Sequence, residues 1–150
     1  RAWRRGWKET LKKRERPRLV VLGGNNGRYN PFATGHCLAA SLERYDPVEN
    51  AWEVEALAPM PTARLYAGMA DFKGTVYAVG GMAVDYAYSN AVERYNLATN
   101  SWEAVAPLST ARGCIGVAVL DGKLYAVGGH GDGGHLSSVE RYDPALDAWE

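Results

Sequence analysis

The sequence predicts an all-β fold assembled from repeats, each a four-stranded antiparallel sheet. Three observations carry this. The triplet Glu-Arg-Tyr ends at Tyr45, Tyr95 and Tyr142, and each Tyr is followed seven positions later by a Trp (Trp52, Trp102, Trp149). A Gly-Gly pair closes an apolar run three times, at Gly23-Gly24, Gly80-Gly81 and Gly128-Gly129. Short apolar runs flank Lys73-Gly74 and Asp121-Gly122, dipeptides of the kind that turn a hairpin.

Self-similarity at a fixed period is the signature of repeat architecture. The Tyr spacings are 50 and 47, and the string Tyr-Ala-Val-Gly-Gly occurs twice without change. Arg64 and Arg112 each stand sixteen residues before the first Gly of the following pair. Residues 66–72 and 75–79 read as the first two strands of a unit, and 115–120 and 123–127 repeat them. The Glu-Arg-Tyr segment and a short Trp-Glu segment complete the four. Asp46-Pro47 and Asp143-Pro144 mark the turn between these last two strands, with Asn96-Leu97 in the middle unit. The first unit is longer: Gly24 to Tyr45 spans 21 positions, against 14 and 13 in the others. The excess falls within residues 25–39, where Gly, Asn and Pro cluster, and is expected to form a loop.

Gly-Gly, then Tyr, then six residues, then Trp, at a period near 50, resembles the kelch repeat over residues 18–150. That resemblance implies blades of a β-propeller. Blade one covers about 18–56, blade two about 62–106 and blade three about 110–150. The recurring Tyr and Trp would supply flat apolar surface between blades, and the Gly pairs close backbone approach. Three blades do not close a ring. The first lacks its opening strand, because only a charged arm precedes Arg18, and the third is truncated in its last strand. The chain is therefore expected to form half of a six-bladed ring, its remaining blades coming from the same longer chain or from a partner chain. A three-bladed piece alone would expose aromatic faces and associate.

Charge divides the chain in two. Residues 1–18 carry nine Lys or Arg against two Glu, and the remainder carries eight basic against fifteen acidic side chains. Residues 1–17 form a basic amphipathic arm in which Trp3, Trp7 and Leu11 fall on one helical face before Pro17 ends it. The arm reads as a linker helix, and nucleic acid or an anionic membrane could be engaged only there. No apolar run approaches the ~18 residues that span a bilayer. Cys37 and Cys114 lack a short spacing and read as free thiols, an expectation of a reducing, cytoplasmic setting.

Catalytic chemistry is not nominated. Gly129-His130-Gly131-Asp132-Gly133-Gly134 contains a G-x-G-x-x-G string, but a strand follows where a phosphate site needs a helix. It reads instead as a flexible loop. His130, Asp132 and His135 lie close in sequence, yet a zinc site needs further fixed ligands. No enzyme activity, metal or cofactor is expected.

The partner expected is another protein. Kelch propellers that this chain resembles present loops after the Gly pair, and the start of the opening strand, on one binding face. Carried over by position, these are Asn25, Asn26, Arg28 and Tyr29 within 25–30; Met82, Asp85, Tyr86 and Tyr88 within 82–88; and His130, Asp132 and His135. Tyr66 and Cys114 head the opening strands. Tyrosines are favoured in binding hot spots, and Arg28 and Asp85 would add charge-assisted bonds. The phrase Glu-Arg-Tyr-Asp-Pro, Asn-x-Trp, Ala-Pro-Met, Arg resembles the BTB-kelch propellers in particular. In that family the propeller recruits substrates to cullin-type ubiquitin ligases through an upstream BTB domain. An actin-binding or organellar scaffold, and an enzyme on the same fold, are the alternatives.

Overall fold

In this computed structural model the described residues are 19–29, 36–52, 57–83 and 85–150, with side chains from Glu43 onward. The basic arm lies outside them. Among the described residues every regular element is a strand: β1 (Leu19–Tyr29), β2 (His36–Asp46), β3 (Ala51–Trp52), β4 (Gly68–Phe72), β5 (Thr75–Val79), β6 (Val92–Asn96), β7 (Ser101–Val105), β8 (Gly116–Leu120), β9 (Lys123–Val127), β10 (His130–Gly131), β11 (Gly134–His135), β12 (Val139–Asp143) and β13 (Ala148–Trp149). They build a three-stranded sheet, β1-β2-β3, and two four-stranded sheets, β4-β5-β6-β7 and β8-β9-β12-β13. All pairings are antiparallel. A two-stranded hairpin, β10-β11, is added after β9. These sheets are the three expected blades, and among the described residues the first has three strands.

Local chemistry sets the turns. Lys73-Gly74 and Asp121-Gly122 all adopt positive φ, between 48° and 79°, as a two-residue hairpin turn with mirror-image geometry requires. At the outer hairpins, Asn96 accepts from the Ala98 and Thr99 amides and Asp143 from Ala145. Asp46 does the same for Val48 and Glu49 in the first sheet.

Blade two packs against blade three through Tyr77, Val79, Val92, Leu108, Leu124, Ala126 and Tyr142. Its other face, Val76 and Tyr95, packs on Leu57, Ala58 and Met69. Alternation along β5 thus sends successive side chains into two separate cores, so the strand is buried on both faces. Rings Tyr77 and Tyr142 lie 5.9 Å apart across the seam.

The connector between blades is gripped at one residue, through both its amide and its carbonyl. Trp149 Nε1 donates to the Ala106 carbonyl at 2.8 Å, while the Ala106 amide donates to Asp147 at 2.8 Å. One blade earlier, Trp102 Nε1 donates to Ala58 O and Ala58 N to Asn100. Asn50, Asn100 and Asp147 share a left-handed backbone, φ 48–51°, and each accepts the hydroxyl of the blade's Tyr. Burial pushes the Tyr142 phenol well above its ordinary range, with Asp147 adding to the effect.

Three expectations are corrected. Residues 25–29 are not loop: β1 runs through Gly23-Gly24 to Tyr29, pairing Asn25 with Leu38 and Tyr29 with His36. Register shifts fall at 22–24 and 25–29 within the β1–β2 ladder, and Cys37 lies in a strand; the rest of the expected loop, 30–35, lies outside the described residues. Residues 130–135 are not a flexible loop: Asp132-Gly133 turns the hairpin that pairs His130 with His135. Third, the opening strands begin at Gly68 and Gly116, because Tyr66 and Cys114 take left-handed backbone (φ 55° and 54°) that cannot continue a strand.

A Cβ on Gly68 would sit 2.3 Å from Val117 Cγ2 and 2.8 Å from Ile115 Cγ1 of the next blade. Gly68→Ala is therefore expected to lower stability by about 1–3 kcal/mol through overpacking of the seam, measured by urea denaturation. Asp147 is held below the usual carboxylate range, first by the Ala106 amide and then by the Tyr142 hydroxyl. A depressed carboxylate stabilises the fold above its unfolded pKa and ceases to do so as pH falls through the folded value. In Asp147→Asn the stability deficit at neutral pH is expected to shrink in acid below about pH 4, read from denaturation midpoints across pH.

Candidate functional site

At one end of the sheets, the segments that enter β4 and β8 meet the segments that leave β5 and β9. The backbone is knitted here both within and across blades. Leu65 and Met82 exchange both amide bonds, at 2.9 and 2.7 Å, and Gly113 and His130 repeat this at 2.9 and 2.8 Å. Gly81 N donates to Arg112 O, and Cys114 N donates to Tyr66 O at 2.9 Å, tying the second blade to the third. Gly80 makes the approach possible: a Cβ there would lie 2.3 Å from Arg112 O, and its φ of 60° disfavours a side chain.

Beneath this rim lie two buried ion pairs of identical design. Arg112 is fully buried and donates to Glu140 at 2.8 Å, to Ser138 Oγ, and to the carbonyls of Gly128, Ser138 and Thr110. Glu140 also accepts the Ser109 and Thr110 amides. Arg64 donates to Glu93 at 2.8 Å, and Glu93 accepts from Thr62. Arg64 is less well served, since its Nε and Nη1 have no hydrogen-bond acceptor. Burial pulls its guanidinium below the ordinary value, with Glu93 opposing. Each pair fixes a connector to the third strand of its own blade.

Above the pairs, the rim side chains are exposed or half-buried, with Met82, Tyr88 and His130 in the second group. Tyr66 is 58% and Tyr86 55% accessible, and both hold left-handed backbone, φ 55° and 65°. For a bulky residue that conformation costs about 1–2 kcal/mol, and it persists where surroundings over-determine it. Cys114, also exposed, occupies in blade three the place of Tyr66 in blade two. Tyr88 pairs by a single bridge with Met82, and its ring stacks on His130 at 6.4 Å. His130 meets His135 edge-on at 4.0 Å. Asp85 and Asp132 are exposed at the tips, with Asp85 accepting from the Ala87 amide.

The structure therefore brings Tyr66, Met82, Asp85, Tyr86, Tyr88, Cys114, His130, Asp132 and His135 onto one rim. Asn25, Asn26, Arg28 and Tyr29 lie in the β1 ladder, where only the backbone is described. The repeated residues Arg64, Arg112, Glu93 and Glu140 lie below the rim as supports. Sequence reasoning missed the Asn100 and Asp147 grips, although the signal was present: Asn50, Asn100 and Asp147 each stand two residues before a Trp. A shallow polar cleft lined by Thr75, Arg94, Asn96, Thr99, Ser101 and Glu103 lies elsewhere, at the outer strands of blade two, and its Arg94 is already paired with Glu103. Among the described residues no group of three or more His, Cys, Asp or Glu is placed to hold a metal ion, and no helix is long and apolar enough to cross a membrane.

Radially stacked four-stranded sheets, with grips from blade to blade and loops gathered on one rim, define a β-propeller of repeated blades. The sequence matches the Kelch motif family over residues 63–109 and 111–150, and the chain belongs to the kelch-repeat family. It is 31% identical over 138 residues to mouse (Mus musculus) Kelch-like protein 35, covering 92% of this chain and 23% of that protein. The chain thus spans about a quarter of that relative's length. The solved structure titled "Structure of YjhT" superposes with a TM-score of 0.65 at 20% identity, over 75% of this chain and 44% of that one.

Glu140→Ala would leave Arg112 charged and fully buried without its carboxylate. A loss of about 3–5 kcal/mol is expected, measured by chemical denaturation, and the Ser109 and Thr110 amides lose their acceptor as well.

Proposed function

We propose that this chain recognises another protein, and that the rim carrying Tyr66, Tyr86, Tyr88, Cys114 and His130 is the recognition surface. The observation that carries the reading is the pair Tyr66 and Tyr86. Both are large aromatic side chains, more than half exposed, on left-handed backbone: the Tyr66 carbonyl accepts the Cys114 amide of the next blade, and the Tyr86 amide closes a local turn onto the Ala83 carbonyl. A folded chain gains nothing for its own core from such placement. It suits a hot spot, because a tyrosine presents rigid, amphipathic area at small conformational cost. The rim positions also differ between blades, Tyr66 against Cys114, while the supports repeat.

Membership of the kelch-repeat family and similarity to a kelch-like protein support the finer reading. In it, the rim selects a substrate for a cullin-type ubiquitin ligase, with a BTB domain elsewhere in the polypeptide making the ligase contact.

The test is quantitative capture. Partners retained by the wild-type chain are compared with those retained by a Tyr66→Ala/Tyr86→Ala/Tyr88→Ala variant, with folding checked by circular dichroism. Each hot-spot tyrosine is worth about 2 kcal/mol, so binding is expected to fall at least a hundredfold, about 2.7 kcal/mol, while the fold is kept. Unchanged capture by a folded variant overturns the reading.

A further inference from the structure

The seam between blades two and three has both of its sides in this chain, and the rim above it is one-sided in charge. A circuit of contacts closes around that seam. Leu65 bridges Met82, and Met82 bridges Tyr88. The Tyr88 ring stacks on His130, which exchanges amide bonds with Gly113. The next amide, that of Cys114, returns to the Tyr66 carbonyl. Aromatic side chains stand on this circuit, with Tyr66 and Tyr86 more than half exposed. Among the described residues of 65–67, 82–88, 113–114 and 130–135, Asp85 and Asp132 carry the only formal charges, the two histidines aside, and both are exposed. Each blade thus sets one carboxylate beside aromatic rings: Asp85 adjoins Tyr86, and Asp132 lies in the turn that joins His130 to His135.

The cations of the same two blades are all placed elsewhere. There are six. Arg64 and Arg112 are buried below the rim against Glu93 and Glu140. Arg94 on β6 and Arg141 on β12 are paired with Glu103 and Glu150. Lys123 is paired with Asp143, and Lys73 belongs to the β4–β5 turn, both at the opposite end of the sheets. The turn roles of the two rim carboxylates do not call for charge. Asp85 accepts the Ala87 amide with one oxygen, which an Asn would do equally, and Asn-Gly turns a hairpin as well as Asp-Gly.

We infer that the occupant of this rim is a basic segment of another protein, whose Lys or Arg side chains meet the tyrosine rings and the two carboxylates. The inference rests on the reading of the rim as a recognition surface and names the chemistry of its partner. An aromatic ring carries negative charge on its face and attracts an ammonium or guanidinium placed over it. A carboxylate nearby adds a charge-assisted hydrogen bond, bidentate where the guest is Arg. With no exposed cation of its own at this seam, the rim does not compete with such a guest, and it repels a segment rich in carboxylate or phosphate.

The test pans a library of random short peptides, displayed on phage, on the immobilised full chain, and measures synthetic copies of the recovered peptides by fluorescence anisotropy. Those peptides are expected to be rich in Lys and Arg. An Asp85→Asn/Asp132→Asn variant keeps both turns and is expected to bind them about tenfold more weakly, and replacing their Lys and Arg by Gln is expected to cost at least as much. Tyr66→Ala/Tyr86→Ala removes two exposed rings, keeps both carboxylates and is expected to lose the peptides altogether, which separates the rim from general attraction to an acidic surface. Circular dichroism confirms the folding of each variant. Basic peptides that bind the tyrosine variant unchanged overturn the inference, and so does an unchanged affinity in the Asn variant. Peptides that need the tyrosines but carry no basic residue overturn it while leaving the recognition reading intact. A library that yields no tyrosine-dependent binder overturns both.

Discussion

The grip on a single connector residue governs much of what lies above it. Ala106 is held by its carbonyl to the Trp149 indole and by its amide to Asp147, and two residues later Leu108 enters the core between the sheets. The chain then runs to Ser109 and Thr110, whose amides bind Glu140, and to Arg112, whose guanidinium closes on the same carboxylate. By the time the backbone reaches Cys114 little freedom is left to it. A buried polar network is useful when every member is satisfied. Here the satisfaction of the network and the position of the rim are one geometry.

The two ion pairs show how far a repeat can drift without losing its design. Ser138 supplies Arg112 with both its carbonyl and its hydroxyl. In blade two the equivalent position, defined by the Gly80 N to Ala91 O bond, is Ala91, which has no hydroxyl. Arg64 keeps Glu93 and the Ala78 carbonyl, both through Nη2, while its Nε and Nη1, whose counterparts in Arg112 bind the Thr110, Gly128 and Ser138 carbonyls, have no acceptor among the described residues. Burying charge is costly and is offset only by complete pairing. Blade two therefore bears a cost that blade three avoids, and its compensation lies in being covered on both faces.

Features that recur with the period were legible in the sequence. Glu-Arg-Tyr, the Gly pairs of blades two and three, the Lys73-Gly74 and Asp121-Gly122 turns and the spaced Trp residues each answer to a local constraint that the repeat reuses, and the structure places them as that reading requires, whereas Gly23-Gly24 lies inside β1. What escaped was what a single blade does alone. The β1–β2 ladder takes in residues 25–29 and 36–39 at the flanks of the expected loop, because Gly and Asn can be taken up as register shifts where both flanks pair. The β10-β11 hairpin was hidden by glycine content, although Asp132-Gly133 is itself a turn signal. The left-handed backbone at Tyr66 and Cys114 was invisible because neither residue type prefers it. It is imposed by cross-blade amide bonds that no local window contains.

That last feature bears on how a surface of this kind can change over time. The conformation at Tyr66 and Cys114 is dictated by main-chain bonds and by neighbouring glycines, so the side chain mounted there contributes almost nothing to holding the sheets together. Substitutions at such a position are screened by what they touch outside the molecule rather than inside it. Blades two and three each offer one such socket, at Tyr66 and Cys114, and the sockets can be refitted independently. A stack of near-identical sheets can in this way acquire a new clientele one residue at a time, with its interior left unaltered.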